Sequence, residues 1–312
     1  MLPLAVIRQY AVGQQIDLPV ADQEIVLHYV LALLNAEGLL GSPPGGGSPG
    51  PLLFKGGTAL RKCVFGSTGR FSQDVDLDAT RRNGFEAAVE AAFADHTPYH
   101  GIDFSIPTFR YSKDDNFSGT VNYEHPSASG AFELQISYRL DPILPPRILT
   151  LVPQSYFARV ECGVPGLFGV DPYEMMGEKL MACNRRLGGS AKDVYDLHLW
   201  AGRPFDASLV RRLAVLKAWT DRRGQPRFEP ESFLAGIQPG NFRWEDIQRL
   251  VPHGMPTDSE MICATVRERF AWLAELDDRE RDLLADQTAH REVGLFRRLR
   301  DEAGEFARRA PR

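Results

Sequence analysis

At 312 residues, with 43% hydrophobic and 25% charged residues, the chain has an ordinary globular composition and the length for one large domain or two smaller ones. Its formal net charge of −5 argues against binding nucleic acid through bulk electrostatics. Four scattered cysteines with no CxxC pair argue against a zinc site or a disulfide framework and suit a reducing cytoplasm, and no apolar run is long enough to span a bilayer.

Residues 21–37, "ADQEIVLHYVLALLNAE", predict an amphipathic helix, with Ile25, Leu27, Val30, Leu31 and Leu34 near one face. The Gly, Pro and Ser content of Gly38–Pro51 predicts a mobile loop. "LLF" predicts a short buried strand, Gly56 and Gly57 a turn, and Thr58 a cap for the helix "ALRKCVF". A strand at "VDL" follows, then a helix in "NGFEAAVEAAFADH" with Asn83 as its candidate cap. Three strand-like runs come next, "IDFSIPTFRYS", "FSGTVNYE" and "GAFELQISYRL", separated by turn-rich segments. From Asp171 the chain turns helical, first in "DPYEMMGEKLMACNRRLG", then in "SAKDVYDLHLWAG". The remainder reads as helical, with a Pro/Gly-rich interruption from Arg222 to Pro256. The pattern is α+β rather than the regular alternation of a doubly wound sheet. An α+β domain is expected at residues 1–165 and a helical domain at 166–312.

The chemistry concentrates in "FKGGTALRKCVFGSTGRFSQDVDLDAT", Phe54 to Thr80. On a strand, residues i and i+2 share a face, so Asp74 and Asp76 lie side by side, opposite Val75 and Leu77. Two adjacent carboxylates repel each other unless a divalent cation sits between them. Mg²⁺ takes a few carboxylates plus phosphate oxygens, which suits such a pair to a Mg²⁺–nucleotide. Asp78 either extends the acidic face or ends the strand. Upstream, the Gly-Gly-Thr turn permits close backbone approach to a phosphate and opens a helix whose free N–H groups face it. A DxD or a Gly-Gly turn alone is a weak signal. The order strand, GGT, helix, strand, DxD is far more specific.

These residues resemble the signature of the AbiEii-type nucleotidyltransferase toxins, the MenT-like group within the polymerase-β-like nucleotidyltransferase superfamily. Two later segments resemble the same family: "YEMMGEKLMACNRR" its Tyr…Glu-Lys-Leu helix, and "AKDVYDLHLW" its Arg-Asp-x-Tyr-Asp-Leu helix. The resemblance implies a mixed sheet flanked by helices, followed by a helical C-terminal domain that contributes Lys179 and Asp196 to the site. It places Gly57 and Thr58 at the superfamily's Gly-Ser, with the Thr58 hydroxyl kept for a phosphate. Ser72 and Asp74 fall at the family's Ser-x-Asp, Asp76 at the second metal carboxylate, Lys179 at the active-site lysine and Asp196 at the later essential aspartate. Lys192 stands where the family usually has arginine, which keeps the charge and loses the planar fork. The superfamily resemblance implies a third metal carboxylate from a central strand, where "AFELQISYR" offers Glu133, a residue that reads equally as a solvent-facing strand position. Read without the family, Lys179 is equally a lysine snorkelling from an apolar helix, and Asp196 a buried carboxylate with a cationic or capping partner.

The reaction implied is transfer of nucleotides from an NTP, with Mg²⁺ or Mn²⁺, to the 3′ end of tRNA, which blocks translation. A cognate antitoxin is the implied partner, and the implied setting is the cytoplasm, with no membrane. Basic candidates for RNA contact are Arg61/Lys62, Arg81/Arg82, Arg185/Arg186 and the tail "RRLRDEAGEFARRAPR", against the alternative that each is a solvated helix face. Competing readings are transfer to a protein or small-molecule hydroxyl, a non-catalytic nucleotide-binding module, and a metal-dependent nuclease. The last leaves the GGT turn and Lys179 unexplained.

Overall fold

The computed structural model describes residues 2–41, 48–81, 84–95, 98–106, 109–112, 116–138, 142–164, 166–221 and 226–309. Arg82, Asn83 and residues 42–47 of the Gly38–Pro51 loop lie outside these residues. The chain forms two compact units. One holds Met1–Asp141, Pro146–Val170 and Arg249–Met255; the other holds Pro142–Pro145, Asp171–Gln248 and Pro256–Arg312.

The first unit is built on an eight-stranded mixed sheet. Its strands are β1 (Leu52–Lys55), β2 (Asp74–Ala79), β3 (Asp103–Ser105), β4 (Phe109–Ser112), β5 (Asn116–His125), β6 (Ala128–Ser137), β7 (Arg147–Leu149) and β8 (Leu167–Gly169). They run in the order β3-β5-β6-β2-β1-β8-β7, with β4 also paired to β5. Strand β2 is central, antiparallel to β1 and parallel to β6. Alternation along the strands gives the sheet one apolar face, with Phe54, Val75, Leu77, Phe117, Val121, Leu134 and Ile136 all fully buried. The other face carries the polar residues of β2 and β6.

Two helices precede the sheet, α1 (Leu4–Gln14) and α2 (Leu18–Ala36). The α2 reading needs correction. It begins earlier than expected and is buried nearly all round, including Asp22, Glu24 and His28, rather than on one stripe. It packs on β6 and on α4 (Glu86–Asp95). Its buried charges are paired: Glu24 Oε1 accepts from Lys62 Nζ at 2.9 Å, and Asp22 accepts from Tyr123 Oη at 3.0 Å and His125 Nε2 at 2.9 Å.

The second unit is helical. Helices α5 (Pro172–Arg185), α6 (Lys192–Ala201) and α7 (Ala207–Thr220) pack around Leu180, Val194, Leu197, Val210, Leu213 and Leu216, all fully buried. Asp171 caps α5, accepting from Tyr173 N at 2.9 Å, and Pro172 fills the first helical position. Helices α8 (Pro230–Gly236) and α9 (Glu245–Gln248) fall within the Pro/Gly-rich interruption, and α10 (Ser259–Arg269) packs on α6. Helices α11 (Asp278–Ala285) and α12 (Val293–Arg309) pack on α7. Among the described residues no helix is long and apolar enough to cross a membrane.

His28 makes one consequence of this packing measurable. It is buried on α2, donates Nε2–H to Cys162 O at 3.1 Å, and is held down to a pKa of about 4 from its ordinary 6.5, first by burial and then by the Lys62 charge. The unfolded chain therefore binds the extra proton first as pH falls. The stabilisation is whole above pH 6.5 and is lost progressively down to about pH 4. Denaturant melts across that range should lose on the order of 3 kcal/mol to this residue, and His28→Gln should remove that part of the slope.

Candidate active site

The turn and the acidic strand meet through a glycine. Gly56 has φ +77°, a left-handed conformation, and a Cβ placed there would lie 2.0 Å from Asp76 Oδ2 and 2.6 Å from Asp76 Cβ. The β1 register pairs Lys55 with Asp76, so the turn leaves β1 directly beside the second aspartate. The next glycine is also closely packed, though less tightly. A Cβ on Gly57 would lie 2.9 Å from Arg70 Nη2 and 3.1 Å from Ser72 Oγ. Thr58 follows, fully buried, and its Oγ1 donates to the backbone carbonyl of Asp74.

One expectation changes here. The helix starts at Gly56, so Thr58 lies within its first turn and is not the cap. Its hydroxyl donates to Asp74 O, so Thr58 ties the turn to the acidic strand. Helix α3 (Gly56–Ala59) runs straight into a widened, π-helical turn over Leu60–Phe65, a geometry often found at functional sites.

On β2, Asp74 and Asp76 are half-buried and Val75 and Leu77 fully buried, as the alternation requires. Parallel pairing with β6 sets Asp74 opposite Glu133 and Asp76 opposite Gln135. Asp74, Asp76 and Glu133 therefore share one sheet face. Glu133 is exposed, and its Oε1 accepts from Thr120 Oγ1 at 2.5 Å. Asp78 also lies on this face but has a structural partner, Lys55 Nζ at 2.5 Å. Among the described residues no three His, Cys, Asp or Glu side chains converge closely enough to form a ready metal cage. The donor set, hard oxygens on one face beside a glycine-lined turn, fits Mg²⁺ or Mn²⁺.

In the helical unit, Lys179 on α5 extends Nζ between two aspartates of α6, 2.9 Å from Asp193 Oδ1 and 2.9 Å from Asp196 Oδ2. Both aspartates are 2% exposed, and Arg186 Nη1 reaches the other oxygen of Asp193 at 3.0 Å. Lys179 does not snorkel. Two anions fix its direction, and Lys179 and Arg186 both offset the charge of the buried aspartates. Asp193 was not among the residues expected from sequence. Its signal was present: Asp193 and Asp196 are three apart, which places both on one face of a helix.

The basic pairs mostly prove structural. Arg61 and Lys62 are buried, at 1% and 3% exposure, and held by Tyr10, Glu24 and Tyr156. Arg185 pairs with Asp221 at 2.5 Å. The tail up to Arg309 lies in α12, which buries Leu295, Leu299, Ala303 and Ala307, and its exposed Arg297, Arg298 and Arg308 are interspersed with Asp301, Glu302 and Glu305.

A sequence model of the nucleotidyl transferase AbiEii toxin family, from type IV toxin–antitoxin systems, matches residues 47–288. The chain belongs to the AbiEii nucleotidyltransferase toxin family. It is a nucleotidyltransferase, with the α+β architecture of that family. Among solved structures it is similar to MenT4, a nucleotidyltransferase toxin of Mycobacterium tuberculosis, at 28% identity and a TM-score of 0.80, over 96% of this chain and 99% of that one. It is also matched by JHP933 of Helicobacter pylori, at 18% identity and a TM-score of 0.46, over 87% of this chain and 99% of that one. No curated protein sequence matches the chain. Membership in a toxin–antitoxin family implies an antitoxin as partner.

The family match begins at residue 47 and so takes in both the turn and the acidic strand, whose junction is testable. Gly56→Ala should cost more than about 2 kcal/mol of stability, because the new methyl meets Asp76 and the backbone is strained. Gly84→Ala is the control. Its φ is +89° but nothing lies within 4 Å, so it should cost only the backbone strain, about 1 kcal/mol. Equal losses in a denaturant titration would mean that Gly56 is a turn residue alone.

Proposed function

We propose that this nucleotidyltransferase uses a divalent cation, Mg²⁺ or Mn²⁺, to transfer nucleotides from an NTP to the 3′ end of tRNA, acting as a toxin that stops translation. The observation that carries the chemistry is the shared face of Asp74, Asp76 and Glu133 beside the Gly56–Thr58 turn. Asp74, Asp76 and Glu133 are the proposed cation ligands. The cation, when bound, neutralises charge on the phosphates and on the attacking and leaving oxygens. Phosphoryl-type transfer asks little covalent chemistry of a protein, so the chain's own work is binding and orientation.

In this reading Gly57 admits the triphosphate close to the backbone and Ser72 donates to it from beside Gly57. Thr58 holds the turn against Asp74. The α+β unit carries the carboxylates, and within the helical unit Lys179 is the residue that the family resemblance gives as the cation for the triphosphate. Asp196 and Asp193 fix the direction of Lys179. The tRNA acceptor rests on the family resemblance. With most basic pairs committed to internal contacts, its recognition depends on shape and local contacts more than on net charge.

The test is incubation with each α-labelled NTP in turn, with total RNA, total protein and purified tRNA as separate acceptors. Label should appear at the 3′ terminus of tRNA, and Asp74→Asn should lower it by about 100-fold or more without lowering the melting temperature. Label in protein or in a small molecule would change the acceptor and keep the chemistry. Undiminished transfer by Asp74→Asn would remove Asp74 from the site.

A further inference from the structure

Arg61 spends a fully buried guanidinium on the loop that leads into the acidic strand. It lies on the widened turn that continues the GGT helix and is 1% exposed. Its Nη1 donates to Gly66 O at 2.7 Å and to Gly69 O at 2.5 Å, and its Nη2 to Tyr10 Oη at 3.0 Å. The guanidinium carbon sits 4.0 Å from the centre of the Phe71 ring. Three of these four contacts fall on residues 66–71, the segment immediately before Ser72 and Asp74. The backbone of Gly69 is pressed against the same side chain, since a Cβ there would lie 3.2 Å from Arg61 Cδ and 3.0 Å from Phe65 Cβ.

On its far side the segment meets the turn itself, with Arg70 Nη2 and Ser72 Oγ packed against Gly57. One helix therefore supplies both jaws: Gly57 at its first turn and Arg61 one turn later. Burying a guanidinium costs several kcal/mol, and for stability alone an apolar side chain of similar volume often serves as well. The planar fork offers two carbonyls of one loop fixed, directional donors, which an apolar or point-charge residue cannot.

We propose that Arg61 is a positioning residue for nucleotide binding: by holding the Gly66 and Gly69 carbonyls it sets Ser72 and Arg70 against Gly57, where the triphosphate is received. This rests on the reading that Gly57 and Ser72 lie in the NTP site. Arg61 does not touch the nucleotide; it acts through the loop.

The test uses the full chain and the α,β-methylene analogues of ATP, CTP, GTP and UTP, each titrated calorimetrically with Mg²⁺ present, well below each variant's melting temperature. Arg61→Lys keeps the charge and loses the fork. Gly69→Ala keeps Arg61 and pushes the loop off it. Both should weaken binding of the tightest analogue by about tenfold or more, the loss expected for displaced charge-assisted hydrogen bonds. Tyr10→Phe removes a partner of Arg61 outside the loop and should lower the melting temperature while leaving affinity within about twofold. Lowered melting temperatures in Arg61→Lys and Gly69→Ala with wild-type affinity would overturn the proposal and make Arg61 a stability residue. If Arg61→Lys does not fold, Gly69→Ala decides. Ser72→Ala is titrated alongside: wild-type affinity in that variant marks failure of the underlying site reading, separately from failure of the role given to Arg61.

Discussion

Everything in the α+β unit that bears on catalysis depends on one close approach, that of the Gly56 backbone to the Asp76 side chain. A side chain at residue 56 would hold the turn away from β2, and the left-handed φ there turns the chain from β1 into the helix. Once the turn is seated, Thr58 can reach the Asp74 carbonyl, Gly57 can meet Ser72 and Arg70, and the widened turn behind it can place Arg61 on the loop. Phosphate-facing backbone and cation-facing carboxylates are then parts of a single packed junction. Such a junction makes preorganisation an outcome of folding, so that little reorganisation remains for the moment of reaction.

The helical unit solves a different problem, how to aim a lysine on a helix rich in buried apolar side chains. Met175, Met176, Leu180 and Met181 lie on the α5 segment that carries Lys179. Two buried aspartates on α6 fix the ammonium's direction, while Arg186 reaches the other oxygen of Asp193. Removing Lys179 strips the aspartates of their shared cation. Loss of activity in such a variant therefore carries a stability component that must be separated from any role in binding.

Much of this was legible in the sequence, for identifiable reasons. The period-2 placement of Asp74 and Asp76 against Val75 and Leu77 specifies their face without any tertiary information. The parallel register that puts Glu133 beside Asp74 was not legible, because it depends on a long-range pairing between strands 59 residues apart, although the residue itself could be named as a candidate. The helix start at Gly56, ahead of Thr58, was not legible, because a Gly-Gly pair gives no local sign of which residue starts the helix; tertiary packing on Asp74 decides it. Arg61 and Lys62 look like a surface pair because adjacent basic residues usually are. Their burial follows from Glu24, a carboxylate on a helix that reads as half-exposed and is in fact enclosed. The partners of buried charges lie far away in sequence, which is why networks of this kind stay hidden until the fold is known.

The central claim is that Asp74 and Asp76 form a cation site that nucleotide completes. It is tested most directly by titrating Mn²⁺ into the protein, with and without a non-hydrolysable NTP analogue, and following free Mn²⁺ by electron paramagnetic resonance. The account predicts that the analogue tightens Mn²⁺ binding to the wild type and that Asp76→Asn weakens binding of the ternary complex by about tenfold or more. Equal Mn²⁺ affinity in wild type and Asp76→Asn, with the analogue present and both proteins folded, would contradict it.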